Sequence, residues 1–337
     1  MKQDLEAWLS ECLLLRCDVD EVVDILEQQG IPSQETKSKI DHLLAMPLFK
    51  TASRVMRDMK RLEWQMSIYQ NNYEILLNEV GFTEIDVTAF DQAMFLERHY
   101  IASQPLVIRN FLKGSVALQT WTDREHLKAN YGQFQVEVKH GDKLHPEKLE
   151  DKYFAFADFL DLIGQPEDIK RYIYYMTAYN AAKNQPLVDA MMREIVTPDY
   201  GAVDDGSHEC VFLWVGPPMT KARFHIDMKS GLLTQVVGRK RVLLAPPHHI
   251  HHMYMMENHF ASEIDVDRLD AYRHQLYCQK VQPVEVVLEP GDAVFLPATW
   301  WHYVEALDES ISLTFANFKW FNDYQWFHQV FPEFDKL

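Results

Sequence analysis

The chain has 337 residues, 47% of them apolar and 25% charged, a balance that supports a folded core and excludes a disordered or fibrous protein. Its 33 Lys and Arg stand against 50 Asp and Glu, and the resulting formal charge of −17 repels phosphate backbones, so no nucleic-acid partner is expected. No apolar run approaches the roughly 20 residues that span a bilayer, and the opening MKQDLEAW lacks the basic and apolar regions of a secretory signal, which predicts a soluble, cytoplasmic protein with no membrane attachment.

Residues 1–80 read as a helical region. The run EAWLSECLLL is followed by Asp18 with Glu21 as a capping box, and Gly30, Ile31 and Pro32 break the pattern, which predicts a helical hairpin or small bundle. Next, apolar or small residues recur at Leu48, Ala52, Val55, Met59, Leu62, Met66, Tyr69, Tyr73, Leu76 and Val80, in steps of four and three. A helix of about 33 residues would run about 50 Å. Its stripe has two readings: a homodimer contact, or packing on the shorter helices within one chain. The four cysteines, Cys12, Cys17, Cys210 and Cys278, have neither zinc-knuckle nor redox spacing and are expected to be reduced packing residues.

From residue 81 to 337 the segments are short, β-branched and aromatic, separated by turn residues: PLVIRNF, FQVEV, RYIYYMTAY, ECVFLWV, GLLTQVV, KRVLLAPP, PVEVVLEPGDAVFLP and SISLTFANF. Helical stretches fall at Ala89 to His99, Asp123 to Tyr131 and Phe154 to Ile163, without the regular βα alternation or Gly-rich phosphate loop of a parallel α/β fold. A mainly β domain built as a double-sheet jelly roll with decorating helices is predicted.

Within ARFHID, His225 and Asp227 are two apart, so an extended strand points both from one face. Far downstream, PATWWHY supplies His302 on a strand that follows the turn Glu289-Pro290-Gly291-Asp292. Two imidazoles and a carboxylate on one side of an octahedral ion leave three adjacent positions for a bidentate co-substrate and dioxygen. A structural zinc would call for a fourth protein ligand, often a thiolate, and the cysteines are far from these motifs, although a three-ligand hydrolytic zinc has the same residue types. Lys240, in Gly238-Arg239-Lys240-Arg241, offers an ammonium for the distal carboxylate of 2-oxoglutarate. Its neighbours Arg239 and Arg241 are given no role. Arg223 shares the parity of His225 and Asp227 and could face the pocket. His248, His249, His251 and His252 read as a surface cluster, and Trp300, Trp301, Trp320, Phe321, Trp326 and Phe327 as mainly packing residues.

The stretches HIDMKSGLLTQVVGRKRVLLAPP, LEPGDAVFLPATWWHYVEAL and SISLTFANFKW resemble the JmjC/cupin-like family, especially its branch containing the asparaginyl hydroxylase that inhibits hypoxia-inducible factor. FDQAMFLERHYIASQPLVIRNF resembles the family's opening helix and strand, so the similarity covers about Phe82 to Trp320. The resemblance implies an Fe(II)- and 2-oxoglutarate-dependent oxygenase using O2, with His225, Asp227 and His302 as iron ligands and Lys240 on the co-substrate carboxylate. It further implies Tyr175 as a hydroxyl on that carboxylate, with Tyr172, Tyr174 and Tyr179 competing, and Asn317 near co-substrate and iron. Two departures stand out. Ala222 replaces a usual Thr or Ser, for which Thr234 or Thr220 could substitute, and Gly231 replaces a frequent Asn. The expected substrate is a side chain in a protein or peptide, the negative field favouring a basic target; small-molecule oxidation, histone-type demethylation and a non-catalytic binding module are the alternatives.

Overall fold

A computed structural model of the protein describes residues 2–14, 17–80, 82–142, 149–165, 172–178, 181–203, 206–256, 260–322 and 324. Tyr179, Trp326 and Phe327 lie outside the described residues. The chain divides into two compact units, Met1–Glu79 and Val80–Leu337.

In the first unit, α1 (Lys2–Leu14), α2 (Val19–Gln28) and α3 (Ser33–Ala45) close a small core of Leu9, Cys12, Val22, Val23, Leu26, Ile40 and Leu43. The Asp18 carboxylate caps α2 by accepting the N–H groups of Asp20 and Glu21, satisfying donors that a helix start leaves unpaired. The 34-residue α4 (Pro47–Val80) follows. Its stripe does not pack on the shorter helices: Leu48, Val55, Met59, Leu62, Met66, Tyr69 and Leu76 are 41–76% exposed. The apolar residues of α1 to α3 named above pack against one another, and among the described residues the α4 residue that is buried is Phe49, which lies off the stripe.

Among the described residues the second unit contains thirteen strands: β1 (Glu84–Asp86), β2 (Leu106–Arg109), β3 (Gln135–Asp142), β4 (Glu150–Ala155), β5 (Tyr172–Tyr175), β6 (Val211–Gly216), β7 (Lys221–His225), β8 (Gly231–Val237), β9 (Lys240–Ala245), β10 (Val284–Leu288), β11 (Ala293–Leu296), β12 (Trp301–Ala306) and β13 (Ser310–Phe315). A six-stranded sheet runs β1-β2-β11-β8-β13-β6, a four-stranded sheet runs β10-β9-β12-β7, and β4-β3-β5 form a third. Each segment singled out for its β-branched and aromatic texture carries one or two of these strands, and the jelly roll is present as two facing sheets, antiparallel except for the β1–β2 pair, with a cavity between them.

Alternation assigns each face of the large sheet. Val211, Leu213 and Val215 of β6, Leu232 and Val236 of β8, and Ile311, Leu313 and Phe315 of β13 enter the main core with Phe156, Phe159, Leu160, Leu187 and Val188 of the covering helices. Their neighbours Phe212, Trp214, Gly231, Leu233 and Thr314 therefore face the cavity. Across it stand Ala222, His225, Lys240, His302 and Val304 of the smaller sheet.

Two turns hold strands that line the cavity. Gly238 (φ +71°) lets β8 turn into β9 over two residues, where a side chain would collide with the Glu309 carbonyl. At the turn before β11 the buried Asp292 carboxylate accepts from Arg109 (2.6 Å), the Asn110 N–H (3.0 Å) and the Glu289 N–H (3.1 Å), tying the turn to β2.

Candidate metal centre

His225 ends β7 and pairs across the ladder with His302 of β12. Between His302 and Val304 the register shifts, because the two residues between Ala222 and His225 oppose the single residue Tyr303 on β12. Such a bulge inverts the parity of the strand. Ala222 and His225 both line the cavity, while Arg223, which shares the parity of His225, is exposed outside it. Phe224 turns into a separate core with Leu243, Trp301 and Tyr303.

Asp227 lies two residues beyond the strand, and its carbonyl accepts the Thr299 N–H (2.8 Å), joining the loop after β7 to the turn before β12. Thr299 has φ +68°, a conformation that costs a β-branched residue about 1–3 kcal/mol and is held by this cross-connection.

Both imidazoles are set for ligation by their own backbone. His225 Nδ1 lies 2.7 Å from the Arg223 carbonyl and His302 Nδ1 lies 2.9 Å from the Trp300 carbonyl; a carbonyl only accepts, so each Nδ1 carries the proton. The Nε2 lone pairs are left facing Asp227, at 3.9 Å from Oδ1 for His225 and 3.5 Å from Oδ2 for His302. Ligands bound side by side on one ion with bonds near 2.1 Å sit about 3 Å apart, so a small rotation of the exposed Asp227 carboxylate closes the set. Among the described residues this is the one group of three His, Cys, Asp or Glu side chains that converges on a common point.

The electrostatics favour the ligating forms of His225 and Asp227, while His302 is tilted toward its protonated form, whose proton a metal ion would displace. Burial and then the neighbouring His302 push the His225 imidazole down to about 4, so it is neutral at physiological pH. Desolvation works to raise the Asp227 carboxyl, but the neighbouring His302 and then His225 outweigh it and hold it at about 2. For His302, burial acts downward and the Asp227 carboxylate more than offsets it, leaving the imidazole raised. Two nitrogen donors and an ionised carboxylate, with no thiolate among the cavity residues, fit Fe(II) with open positions on the cavity side.

The cavity measures about 310 Å³. Lys240 lies in its wall, 2% exposed, with its Nζ 5.9 Å from the Trp214 ring centroid. Among the described residues no acceptor or carboxylate pairs with it, and burial lowers its ammonium to about 7. Arg239 and Arg241 point the other way, onto Asp308 (2.8 Å) and Glu285 (2.8 Å) at the surface. Tyr175 also lines the cavity, anchored where Met176 and Val215 exchange backbone hydrogen bonds, and burial pushes its phenol upward so that it stays a donor. Its ring lies against Gly216, where an added Cβ would come within 2.6 Å of Cδ2. Gly216→Ala is therefore expected to displace the Tyr175 ring at a cost of about 1–3 kcal/mol in stability. Chemical denaturation checks this, and a change below about 0.5 kcal/mol would contradict the packing.

Several expected contacts are placed elsewhere. Thr234 shares the core face of β8 with Leu232 and Val236, and its hydroxyl donates to the Leu313 carbonyl (3.0 Å). Asn317 accepts from the Tyr200 hydroxyl (2.7 Å) outside the cavity, and the residue that faces inward at this strand end is Ala316. The Thr220 hydroxyl donates to the Pro217 carbonyl (3.0 Å), so neither threonine stands in at Ala222. Among the cavity residues that went unread in the sequence are Trp214 and Thr314. The Trp214 indole N–H donates to the Thr314 hydroxyl (2.9 Å), leaving that hydroxyl its own hydrogen for a ligand. Alternation from Leu213 and Leu313 would have found both.

A family model described as a cupin-like domain matches residues 91–330. The chain belongs to the cupin-like domain family. Among its relatives this cupin-like protein is 28% identical to Jumonji C domain-containing protein 5 of Drosophila melanogaster over 69% of this chain and 58% of that one. It is 27% identical to lysine-specific demethylase JMJ30 of Arabidopsis thaliana over 66% and 51%, and 24% identical to lysine-specific demethylase 8 of Xenopus tropicalis over 66% and 49%. The cupin-like chain thus spans about half to three-fifths of the length of these relatives. No helix among its described residues is long and apolar enough to cross a membrane.

Proposed function

We propose that this protein is an Fe(II)- and 2-oxoglutarate-dependent oxygenase that hydroxylates an amino-acid side chain in a protein or peptide. The observation that carries this reading is the presence, in one cavity, of three converging metal donors and a buried ammonium that no carboxylate among the described residues pairs with. A buried ammonium without a partner is costly and calls for an anion. When bound, iron with 2-oxoglutarate and dioxygen supplies an oxidant that inserts one oxygen atom into a C–H bond, the other oxygen atom and the keto acid leaving as succinate and carbon dioxide.

The protein's own share is positional. His225, Asp227 and His302 hold the ion from one side, with tautomers fixed by the Arg223 and Trp300 carbonyls. Lys240 takes the distal carboxylate of the co-substrate, Tyr175 and Thr314 offer hydroxyl donors, and the apolar Leu233, Leu296 and Val304 keep water from the cavity. The net charge of −17 favours a basic protein surface as substrate.

A second reading, lysine demethylation, is favoured by the names of the relatives. It uses the same step, since hydroxylation of an N-methyl carbon yields an unstable product that releases formaldehyde. The test is incubation with Fe(II), 2-oxoglutarate and O2, with succinate measured and peptide masses followed over basic and methyl-lysine peptide sets. A retained gain of one oxygen supports the hydroxylase; loss of a methyl group with formaldehyde supports the demethylase. Absence of succinate above a metal-free control would refute both.

A further inference from the structure

We propose that α4 pairs with α4 of a second copy of this chain as an antiparallel two-stranded coiled coil. The row from Leu48 to Leu76 repeats in steps of four and three along a helix about 50 Å long. Leu48, Val55, Met59, Leu62, Met66, Tyr69 and Leu76 are 41–76% exposed while Ala52 and Tyr73 are half-buried, which still leaves more apolar surface than one helix face ordinarily leaves in water. Two such helices laid along each other would cover roughly 1,000–1,600 Å² in total, the range of a specific interface.

Charge selects the occupant and the direction. From Pro47 to Arg61 the helix carries Lys50, Arg54, Arg57, Lys60 and Arg61 against Asp58, five minus one giving +4; from Leu62 to Val80 it carries Glu63, Glu74 and Glu79 with no Lys or Arg, giving −3. No acidic residue occupies its first turn and no basic residue its last. Lys50 thus lies at the end where the helix dipole disfavours a cation. A parallel copy would add like against like along the whole length. An antiparallel copy sets each basic half beside an acidic half.

The apolar row accepts the same reversal. With the two-fold axis near Trp64, Ala52 meets Leu76, Val55 meets Tyr73, Met59 meets Tyr69 and Leu62 meets Met66. Each contact then joins the two alternating kinds of seam position, as antiparallel packing requires. Trp64, Ile68 and Ile75 form a shorter row on the opposite side of the helix and take no part.

The test uses the full chain. Sedimentation at micromolar concentration should give twice the 39.6 kDa chain mass, and Leu62→Glu with Met66→Glu should return the monomer with its helical circular dichroism intact, because both side chains are exposed in the single chain. A spin label at Ala52, in a chain whose own cysteines are replaced by serine, should report a separation near 36 Å between copies, the rise of the 24 residues to position 76. A parallel pair would give about 10 Å. A monomeric wild type, a dimer indifferent to the two glutamates, or the short distance would each overturn the proposal.

Discussion

Asp227→Ala is expected to abolish high-affinity Fe(II) binding and, with it, the conversion of 2-oxoglutarate to succinate. The carboxylate is the one negatively charged donor of the three, and it is the group toward which both Nε2 atoms are aimed. Losing an outer partner of a metal ligand commonly costs 10- to 100-fold in affinity, and losing a ligand should exceed that. The variant is informative because Asp227 is exposed, so the fold does not depend on its side chain packing; its backbone carbonyl, which holds Thr299, is untouched. His302→Ala is the harsher change, since that ring is 3% exposed and its removal opens the floor of the cavity. Equilibrium dialysis of Fe(II) under anaerobic conditions, with succinate release measured separately, reads both effects. Wild-type iron affinity in Asp227→Ala would sink the metal centre, whatever the substrate proves to be.

Much of this architecture was legible because it rests on short-range rules. The period-two texture of GLLTQVV and SISLTFANF announces half-buried strands, and the turn residues between them mark where one sheet passes into the other. Convergence of His225, Asp227 and His302 followed from residue type and order. Geometry that depends on a local irregularity was not legible. The bulge in β7 reverses the parity after Ala222, which a strict period of two cannot foresee, and so Arg223 points outward despite its spacing. Similarly, Asn317 lies one residue past the position that faces the cavity, and the polar amide drew attention away from the small Ala316 beside it. Thr234 misled because its hydroxyl is satisfied by the Leu313 carbonyl, a neighbour in space but 79 residues away in sequence. The helix Ala181–Met191 escaped because Pro186 interrupts its pattern. The packing of α4 could not be decided from its heptad at all, since a seam looks the same whether its partner lies in the same chain or another.

Lys240→Met is expected to weaken 2-oxoglutarate binding by roughly 2–4 kcal/mol, about 30- to 1,000-fold, while leaving the free protein at least as stable as the wild type. The two effects have one cause. Burial lowers the ammonium from its ordinary 10.5 to about 7, which means that at pH 7 the fold carries an unfavourable cation worth on the order of 5 kcal/mol. The sign follows from proton counts: between about pH 7 and 10.5 the unfolded chain binds the Lys240 proton and the folded one does not, so this group's contribution to stability rises with pH across that window. A dicarboxylate reverses the balance, because it favours the charged form and lifts the folded-state value above 7. Binding must then take up a proton between the free and bound values, and the dissociation constant should rise about tenfold per pH unit from pH 7 upward, while below pH 7 this group adds no dependence. Titration calorimetry of the metal-loaded protein at pH 8, in two buffers of different ionisation enthalpy, would register close to one proton taken up per 2-oxoglutarate, and none in Lys240→Met. An affinity that stays flat from pH 7 to 9 in the wild type would mean that the ammonium does not meet the co-substrate.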